Sequence, residues 1–518
     1  MPLRLTLAAI IALCATLSMA QSRDRRTPAA PLYRIRQDLS LGLHHNPATL
    51  APLADTSLSS ISTSYHALGN IFEQCQQGNA WHGWQALGST FLRISPSISA
   101  WGNASYRKGT RHNVLLSENA DYNIIHPMAV ADSVGGHKDS ERYAFLAGFA
   151  YQGHRANLGL QISYSSTSEY RNTDPRPKAD AIDANLRIGA TLLLPNTHHI
   201  GLFASLRKYA QDLSLKFFNA YKASMTIYHL QGLATNYTRF SGTYDATQYR
   251  GRGIAAGLTY QSPLNITLLA SRMHTEKSLD DLQNAVISET LRNSLALTLS
   301  RQSHLRQWRT TSTLHASLSL NKLTQHIYDD GTSNYHRLSS RSPYSHHTSS
   351  ITLSLTALSP NASSHSTSSS PQNAILLNIS LTHQTSREEE TDYHNLLQHS
   401  SLTLHAQALA HHDFSRTRLS YALTLSHRSP LSHNNSLTTP RPLDLPNART
   451  LLTNNFNRQT TPLTTISPSL RLDLPLLTKN HNPHSPKTIY ILLSPSLHIY
   501  HNNTPNPTTL SLTTGITL

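Results

Sequence analysis

Acidic residues and histidines lie close together in the second half of the chain. Glu388-Glu389-Glu390 is followed by Asp392 and His394. Carboxylate and imidazole groups are ligands that zinc takes in proteins. Neighbouring side chains on a strand point to opposite faces, so such residues could share an ion only within a loop. The stretch favours a solvated loop, with a zinc site of Glu389, Glu390 and His394 as the chemical alternative. No resident metal or cofactor is predicted.

Catalytic signatures are missing from the sequence. It contains no Gly-x-Ser-x-Gly elbow, no His-Glu-x-x-His and no phosphate-binding loop. Serines are abundant and the chain has 31 histidines, so chance Ser–His pairs are expected. We therefore predict that the protein is not an enzyme, with a barrel lipid hydrolase as the least favoured alternative.

The stretch from Ile182 to Lys208 predicts the element that positions the charged residues. Apolar and polar residues alternate on both sides of the break Pro195–His198, as expected for two antiparallel strands with one oily face. Each arm has the roughly 9–11 residues that a tilted transmembrane strand needs. Strands of soluble proteins usually have only about 5–6 residues. The pattern indicates a transmembrane β-hairpin.

The polar face of this hairpin and of similar strands would line an aqueous lumen. Two interpretations follow. The side chains make a cation-rich path for anions or oligosaccharides, or they form an ion-pair network that fills a narrow or plugged barrel. The predicted lumen-facing residues are Arg107, Gln161, Asp183, Asn185, Arg187 and Arg207.

Strand-like runs recur along the chain, and their connections fall into two lengths. The pattern predicts an all-β fold, an antiparallel up-and-down transmembrane barrel with an even number of strands, about 18 within a range of about 14–20. Short connections suit periplasmic turns and long ones extracellular loops, which places Pro195–His198 in the periplasm. The short connections are 153–156, 195–198, 262–263 and 411–416. The long ones are 107–142, 168–181, 209–252, 274–292, 321–350, 385–400 and 428–449.

The N-terminus indicates export. Met1 to Ala20 has the positive residue, apolar core and small-residue cleavage site of a secretory signal peptide. We predict Sec-type export, a periplasmic segment and barrel entrance over residues 21–56, and an outer-membrane barrel over residues 57–518. After cleavage Cys75 is the remaining cysteine, so no intrachain disulfide is possible.

The charge balance narrows the classes of partner that the sequence predicts. The formal net charge is +15, from 43 basic and 28 acidic residues. No basic cluster with interleaved aromatic residues appears, so nucleic acid is not a predicted partner. Membrane lipids and anionic lipopolysaccharide headgroups, or an anion-attracting lumen, suit the excess of cations; scattered solvated side chains explain it equally well. The amphipathic end from Leu510 to Leu518 is the predicted signal for the barrel-assembly machinery.

Three short motifs carry a family resemblance. They are Asn46-Pro47-Ala48, the stretch Tyr170 to Pro177, and His198-His199-Ile200-Gly201-Leu202. On these the chain resembles an uncharacterised group of outer-membrane β-barrel proteins of Bacteroidota, over roughly residues 35–270. Asn46-Pro47-Ala48 also looks like the entrance motif of fatty-acid-transporter-type barrels, in which an N-terminal hatch occupies the lumen. A simple proline turn is the alternative.

These observations predict an outer-membrane channel, transporter or uptake component of unknown substrate. The alternative is a barrel that transports nothing and serves as a surface anchor, an adhesin or a part of a secretion machinery.

Overall fold

The computed structural model describes most of the barrel. The described residues are 45–53, 58–69, 72–218, 227–242, 246–280, 284–306, 308–329, 335–359, 374–414, 417–437, 445, 447–475, 488–501 and 506–517. The predicted signal peptide, the segment up to residue 44 and the terminal Leu518 lie outside these ranges.

Twenty strands and a few short helices make up the described chain. The strands are β1 Leu58–Gly69, β2 Ala80–Ser95, β3 Ile98–Val114, β4 Val130–Ala131, β5 Gly136–Gln152, β6 Ala156–Tyr170, β7 Arg176–Leu193, β8 His199–Lys216, β9 Tyr228–His229, β10 Ala246–Gln261, β11 Leu264–Leu279, β12 Ala285–Leu305, β13 Trp308–Tyr328, β14 Arg337–Leu358, β15 Ala374–Glu390, β16 Asn395–Asp413, β17 Arg418–Ser436, β18 Leu463–Pro475, β19 Thr488–Tyr500 and β20 Thr508–Thr517. The α-helices are α1 Tyr122–Ile125 and α2 Ala448–Thr460, and 3-10 helices span Pro47–Leu53, Cys75–Gln77 and Thr238–Phe240.

Eighteen of these strands form one closed antiparallel sheet. Each long strand pairs with the next long strand along the chain, and β1 also pairs with β20, with Ile61 opposite Ile516. The two-residue strands β4 and β9 pair only with each other. Closure leaves no free sheet edge. The structure therefore confirms the predicted all-β barrel and its even number of 18 strands.

The outer face of the barrel is apolar. On β7 and β8 the exposed residues include Ile182, Ile188 and Leu202, whose exposed fractions are 44%, 54% and 61%. Their neighbours in sequence lie on the opposite face, because side chains alternate along a strand. A continuous exposed set of this kind is typical of a lipid-facing belt.

The two ends of the barrel differ. We call the end with the connections 153–155 and 194–198 the turn end, and the opposite end the loop end. Near the loop end the outward side chains of β7 become polar, as with the exposed pair Lys178 and Asp180. The strands continue there well beyond the apolar belt.

Several predicted long loops are therefore partly strand. The hairpin arms β7 and β8 have 18 residues each, and β8 runs to Lys216 inside the predicted loop 209–252. The predicted loop 385–400 is a turn at residues 391–394 between β15 and β16. Near the loop end the alternation reverses its faces: apolar residues such as Ala179 and Leu213 point inward and polar ones outward, so the outward apolar pattern of the belt does not continue there.

Among the described residues, no helix is long and apolar enough to cross a membrane.

Candidate functional site

Connections at the loop end fold into the barrel, among them two that pair with each other and a third that carries helix α2. We call residues 115–135 and 227–242 the plug. Val130 and Ala131 of the first segment pair with His229 and Tyr228 of the second. Most buried apolar side chains of the plug form one cluster with residues in and around helix α2 and with inner-face residues of five strands, β7, β8, β10, β13 and β14. The wall residues of this cluster are Ala179, Ala181, Tyr209, Leu213, Leu215, Tyr249, Leu323 and Tyr344. Tyr237 and Phe240 of the plug pack in a second cluster with Leu279, Ile287 and Tyr328.

Hydrogen bonds join the plug backbone to the barrel wall. The Tyr249 hydroxyl donates to the carbonyl of Met128 at 2.7 Å, and the Tyr237 hydroxyl of the plug donates to the carbonyl of His326 at 2.6 Å. Gln211 Oε1 accepts the backbone N–H of Ala120 at 3.1 Å. Buried backbone groups need such partners, so these contacts permit a connecting segment to lie inside the barrel.

A buried ion cluster fixes one side of the plug. Glu118 and Asp132 of the plug meet Lys138 of β5 and Arg171, which follows β6; all four residues are almost fully buried. Lys138 Nζ lies 3.1 Å from Glu118 Oε2, and an Arg171 Nη lies 3.2 Å from Glu118 Oε1. Arg171 also pairs with Asp132. Removing one member of such a cluster leaves a buried charge without compensation.

Three of the predicted lumen residues lie on the inner face of β7, and Arg207 lies on that of β8. Asp183, Asn185 and Arg187 alternate with the exposed Ile182, Leu186 and Ile188. Arg207 donates two hydrogen bonds to the Asp183 carboxylate, each 2.8 Å long. This bidentate pair is the part of the predicted network that the structure brings together.

The other two predicted lumen residues lie against aromatic rings that the sequence analysis did not select. Trp101 Nε1 donates to Gln161 Oε1 at 3.2 Å. The guanidinium of Arg107 lies 4.2 Å from the ring centroid of Trp81, a cation–π geometry. Trp81 lies on β2 and Trp101 on β3. Tryptophan occurs on either face of a barrel, so the residue type alone does not mark these two as inner-wall residues.

The inner wall carries more arginine than carboxylate. Within the described residues, Arg107, Arg187 and Arg292 have no carboxylate oxygen at ion-pair distance. Arg292 donates to the carbonyl of Asn123 in the plug at 3.1 Å. Arg187 Nε is buried without any hydrogen-bond partner there. A buried guanidinium with unused donors attracts an anion.

The predicted metal residues do not come together. Glu390 is buried and accepts the backbone N–H groups of Asp392 at 2.7 Å and Tyr393 at 3.1 Å, which fixes the turn 391–394. Glu389 points to the outer face and pairs with Arg387. His394 lies in the turn itself with a positive φ of 55°. The two glutamates are neighbours on a strand, so they point to opposite faces and cannot share an ion.

A different carboxylate of the same stretch meets two histidines. Glu388 lies on the inner face of β15, near His346 of β14 and His126 of the plug. Burial lowers the pKa of His126 to about 4, so this imidazole is neutral near pH 7. His126 is far from Glu388 in the sequence, and only the inward fold of the plug brings them together.

The segment containing Asn46-Pro47-Ala48 lies inside the barrel near the turn end. Asn46 and Ala48 are fully buried. The Asn46 amide donates to the carbonyl of Ala190 and to Thr191 Oγ1, both at 3.2 Å, and its Oδ1 accepts the Ala48 N–H at 3.0 Å. The motif is therefore anchored to the inner wall by the asparagine side chain.

Glycines on neighbouring strands make room for this segment. A Cβ atom at Gly189 would lie 2.0 Å from Asn46 Oδ1, and one at Gly159 would lie 2.4 Å from the Ala48 nitrogen. A Cβ atom at Gly201 would lie 2.5 Å from Asn46 Nδ2. We call Gly159, Gly189 and Gly201 the glycine seat. Only glycine permits so close an approach of the segment to the wall.

A family comparison covers both the seat and the barrel. The model of DUF6850, described as a family of unknown function, matches residues 47–518. The chain belongs to DUF6850. The match begins at Pro47, in the segment that lies against the glycine seat, and takes in the plug and every strand of the barrel. No curated protein matches this DUF6850 sequence.

Solved outer-membrane structures show low similarity to this DUF6850 chain. The alcaligin outer membrane receptor FauA from Bordetella pertussis is 10% identical, with a TM-score of 0.33 over 88% of this chain and 75% of that one. The ferric preacinetobactin receptor BauA from Acinetobacter baumannii is 9% identical, with a TM-score of 0.38 over 90% and 80%. The outer membrane transporter YddB from Escherichia coli is 8% identical, with a TM-score of 0.35 over 89% and 80%. At such values neither a ligand nor an activity is transferred to this chain.

The asparagine anchor of this DUF6850 barrel gives a first prediction. Replacing Asn46 with alanine removes the side chain that bonds both the wall and the Ala48 N–H, and leaves those buried groups unpaired. We expect the free energy of unfolding to fall by about 1–3 kcal/mol. Chemical denaturation of the refolded barrel measures this change.

The matched control is Asn185→Ala. Asn185 also lies on the inner face of β7, but makes no hydrogen bond among the described residues, so its loss is expected to cost less than about 0.5 kcal/mol. Equal effects of the two substitutions would show that the asparagine does not anchor the segment.

Proposed function

We propose that this protein is an outer-membrane barrel that passes small anionic solutes when its plug moves. The single observation that carries the proposal is Arg187, a half-buried inner-wall cation whose buried Nε has no hydrogen-bond partner and whose guanidinium has no carboxylate partner among the described residues. The proposal includes Sec-type export, assembly through the strand from Leu510 to Leu518, and contact of the outer face with lipid and lipopolysaccharide.

The membrane location is supported by the outer face. Apolar side chains such as Leu206, Ile254 and Leu353 are more than half exposed along the strands. In water so large an apolar surface would drive aggregation, whereas lipid acyl chains cover it without cost.

Selection of anions is supported by the balance of charge inside. Arg107, Arg187 and Arg292 add positive charge that no ion pair within the described wall cancels, while Arg207 is neutralised by Asp183. In a narrow lumen with low-dielectric walls, unpaired guanidinium groups raise the local anion concentration and exclude cations.

Gating is supported by the plug. It fills the loop end of the lumen, so a solute cannot pass while it is in place. Its attachment includes ion pairs and hydrogen bonds to the wall, which a change of conformation can break one after another. The cation-rich path and the plugged barrel, which the sequence analysis gave as alternatives, are then both features of one molecule.

The test is ion selectivity in planar bilayers under a salt gradient. Arg187→Gln is introduced into a background in which Arg171→Ala has released the plug. We expect an anion-selective current whose anion-to-cation permeability ratio falls about two- to fivefold on loss of the Arg187 charge.

The matched control is Arg252→Gln, which removes the same charge from an exposed residue on the outer face of β10. It should leave the permeability ratio unchanged. A cation-selective current, an equal effect of both substitutions, or no current from the plug-released protein would contradict the proposal. The last result would favour the surface anchor.

A further inference from the structure

Three potential metal ligands meet where the plug contacts the wall. His346 and Glu388 are directly opposite each other on the paired strands β14 and β15, and both face the lumen. His126 reaches them from the plug, just after helix α1. The ligand atoms of the three residues all lie within 4.8 Å of one another.

We propose that His126, His346 and Glu388 bind one zinc-class divalent metal ion, which ties the plug to the barrel wall. Two imidazoles and one carboxylate are a ligand set that zinc takes in proteins, with a fourth position left for water or a solute. Imidazole ligands favour zinc-class ions over magnesium, which prefers oxygen ligands.

The distances need only a small adjustment. His126 Nε2 lies 3.7 Å from Glu388 Oε2, and His346 Nε2 lies 4.0 Å from Glu388 Oε1. Ligands around tetrahedral zinc lie about 3.3 Å apart when the bonds are about 2.0–2.1 Å long. Rotations of side chains that project from strands and from a loop can close this difference.

Hydrogen bonds hold the ligands in place. His126 Nδ1 lies 2.9 Å from the Tyr122 hydroxyl, which leaves Nε2 to face the other two ligands. The Tyr344 hydroxyl donates to Glu388 Oε2 at 3.0 Å. His126 Nε2 lies 2.8 Å from the Tyr344 hydroxyl and His346 Nε2 lies 3.0 Å from the Ser386 hydroxyl, so a metal bound at these nitrogens replaces both hydrogen bonds. Partners of this kind orient metal ligands and tune their affinity.

A pocket gives the site an open side. It is lined by His126 and Glu388 together with Gln76, Tyr122, Asn455 and Phe456, and lies between the plug, helix α2 and the wall. A metal held by three protein ligands can therefore keep its fourth position toward this pocket.

A second group of ligands serves as an internal control. His274, Glu276 and Glu289 also lie within metal-binding distance of one another, but on β11 and β12 with their side chains a third or more exposed. Among the described residues, no hydrogen bond or ion pair joins them to the plug. Binding at this surface group would not tie the plug to the wall.

The test is calorimetric titration of the refolded full-length protein with Zn²⁺ alone and with Mg²⁺ alone. We expect one equivalent of zinc to bind, with no comparable heat from magnesium. Glu388→Gln and His346→Gln should each weaken zinc binding at least about tenfold. His274→Ala should leave the affinity unchanged.

Absorption of bound Co²⁺ tests the wild-type protein without any variant. An intense visible band that zinc abolishes supports a four-coordinate site, even if a substituted barrel fails to fold. The proposal is overturned by absence of zinc uptake by the folded wild-type protein, by unchanged affinity in both wall variants, or by loss of binding in His274→Ala. None of these results depends on whether the barrel conducts ions.

Discussion

Replacing Arg171 with alanine is expected to open the barrel. Arg171 is 5% exposed and bonds Glu118, Asp132 and the carbonyl of Pro175, so its loss leaves two buried carboxylates with Lys138 as their remaining cation. Breaking a buried ion cluster in this way costs about 3–5 kcal/mol. The cost falls on the plug, because Glu118 and Asp132 belong to it.

The measurement is single-channel conductance of the refolded protein in planar bilayers. The ratio of open to closed states should rise on the order of 10²–10⁴-fold. Arg176→Ala is the matched control: it removes a neighbouring arginine whose side chain is 45% exposed and pairs with Asp174. Exposed pairs contribute about 0–1 kcal/mol, so this variant should stay closed. An Arg171→Ala barrel that conducts no more than Arg176→Ala would contradict the role of the ion cluster.

Acid is expected to loosen the plug through His229. This residue lies in β9, is fully buried, and neither ring nitrogen has a hydrogen-bond partner in the described part of the chain. Burial, with the nearby charge of Lys277, holds the pKa of His229 well below 6.5 while the plug is closed. The closed plug thus needs a neutral imidazole, and the stability that this histidine contributes is present above pH 6.5 and lost as the pH falls below it.

His229→Leu should remove this sensitivity. Between pH 6.5 and pH 5, protonation of His229 in the open state lowers the stability of the closed wild-type plug by up to about 2 kcal/mol. The ratio of open to closed states therefore rises roughly 30-fold. Leucine carries no titrating group and no unpaired polar atom, so the variant should be at least as closed at neutral pH. Bilayer recordings of both proteins at pH 7.5 and pH 5 measure the difference.

Three other carboxyl or imidazole groups of the plug, Glu118, Asp121 and His126, have shifted pKa values in both proteins, and their effects cancel in this comparison. Burial raises the pKa of Glu118, in the same direction as that of Asp121. Burial raises the pKa of Asp121 to about 6, although the nearby charge of Arg142 lowers it. This raised pKa of Asp121 favours the closed plug as the pH falls. His126 acts in the same direction as His229. An identical pH response in the wild type and His229→Leu would contradict the prediction.

The barrel could be predicted because its strands carry a repeated local signal. Ile182, Leu186 and Ile188 alternate with Asp183, Asn185 and Arg187 whatever lies around them, so the period of two identifies both the strand and its faces. The pair of Asp183 with Arg207 follows from the same hairpin. Where β7 and β8 leave the apolar belt, the apolar residues change to the inner face, as at Ala179 and Leu213. The outward apolar pattern therefore ends, and the predicted strands are too short.

The plug could not be predicted, because its position depends on contacts between distant parts of the chain. Met128 meets Tyr249, and His126 meets Glu388, only when a connection folds back into the lumen. Nothing local distinguishes such a segment from an extracellular loop. The metal hypothesis chose Glu389 and Glu390 because the sequence predicted a loop there. Strand β15 extends through both, so Glu389 points outward; Glu388 and Glu390 point inward, but Glu390 is bonded to the turn 391–394 and only Glu388 meets the two histidines.

Hydrogen–deuterium exchange tests most directly whether the plug is a separable unit that closes the lumen. We expect peptides covering residues 117–131 and 227–240 to exchange through openings that leave β7 and β8 protected. In Arg171→Ala these plug peptides should lose protection while both strands keep theirs. Exchange of plug and strands at one common rate, in both the wild type and the variant, would contradict this account and make the plug a fixed part of the barrel core.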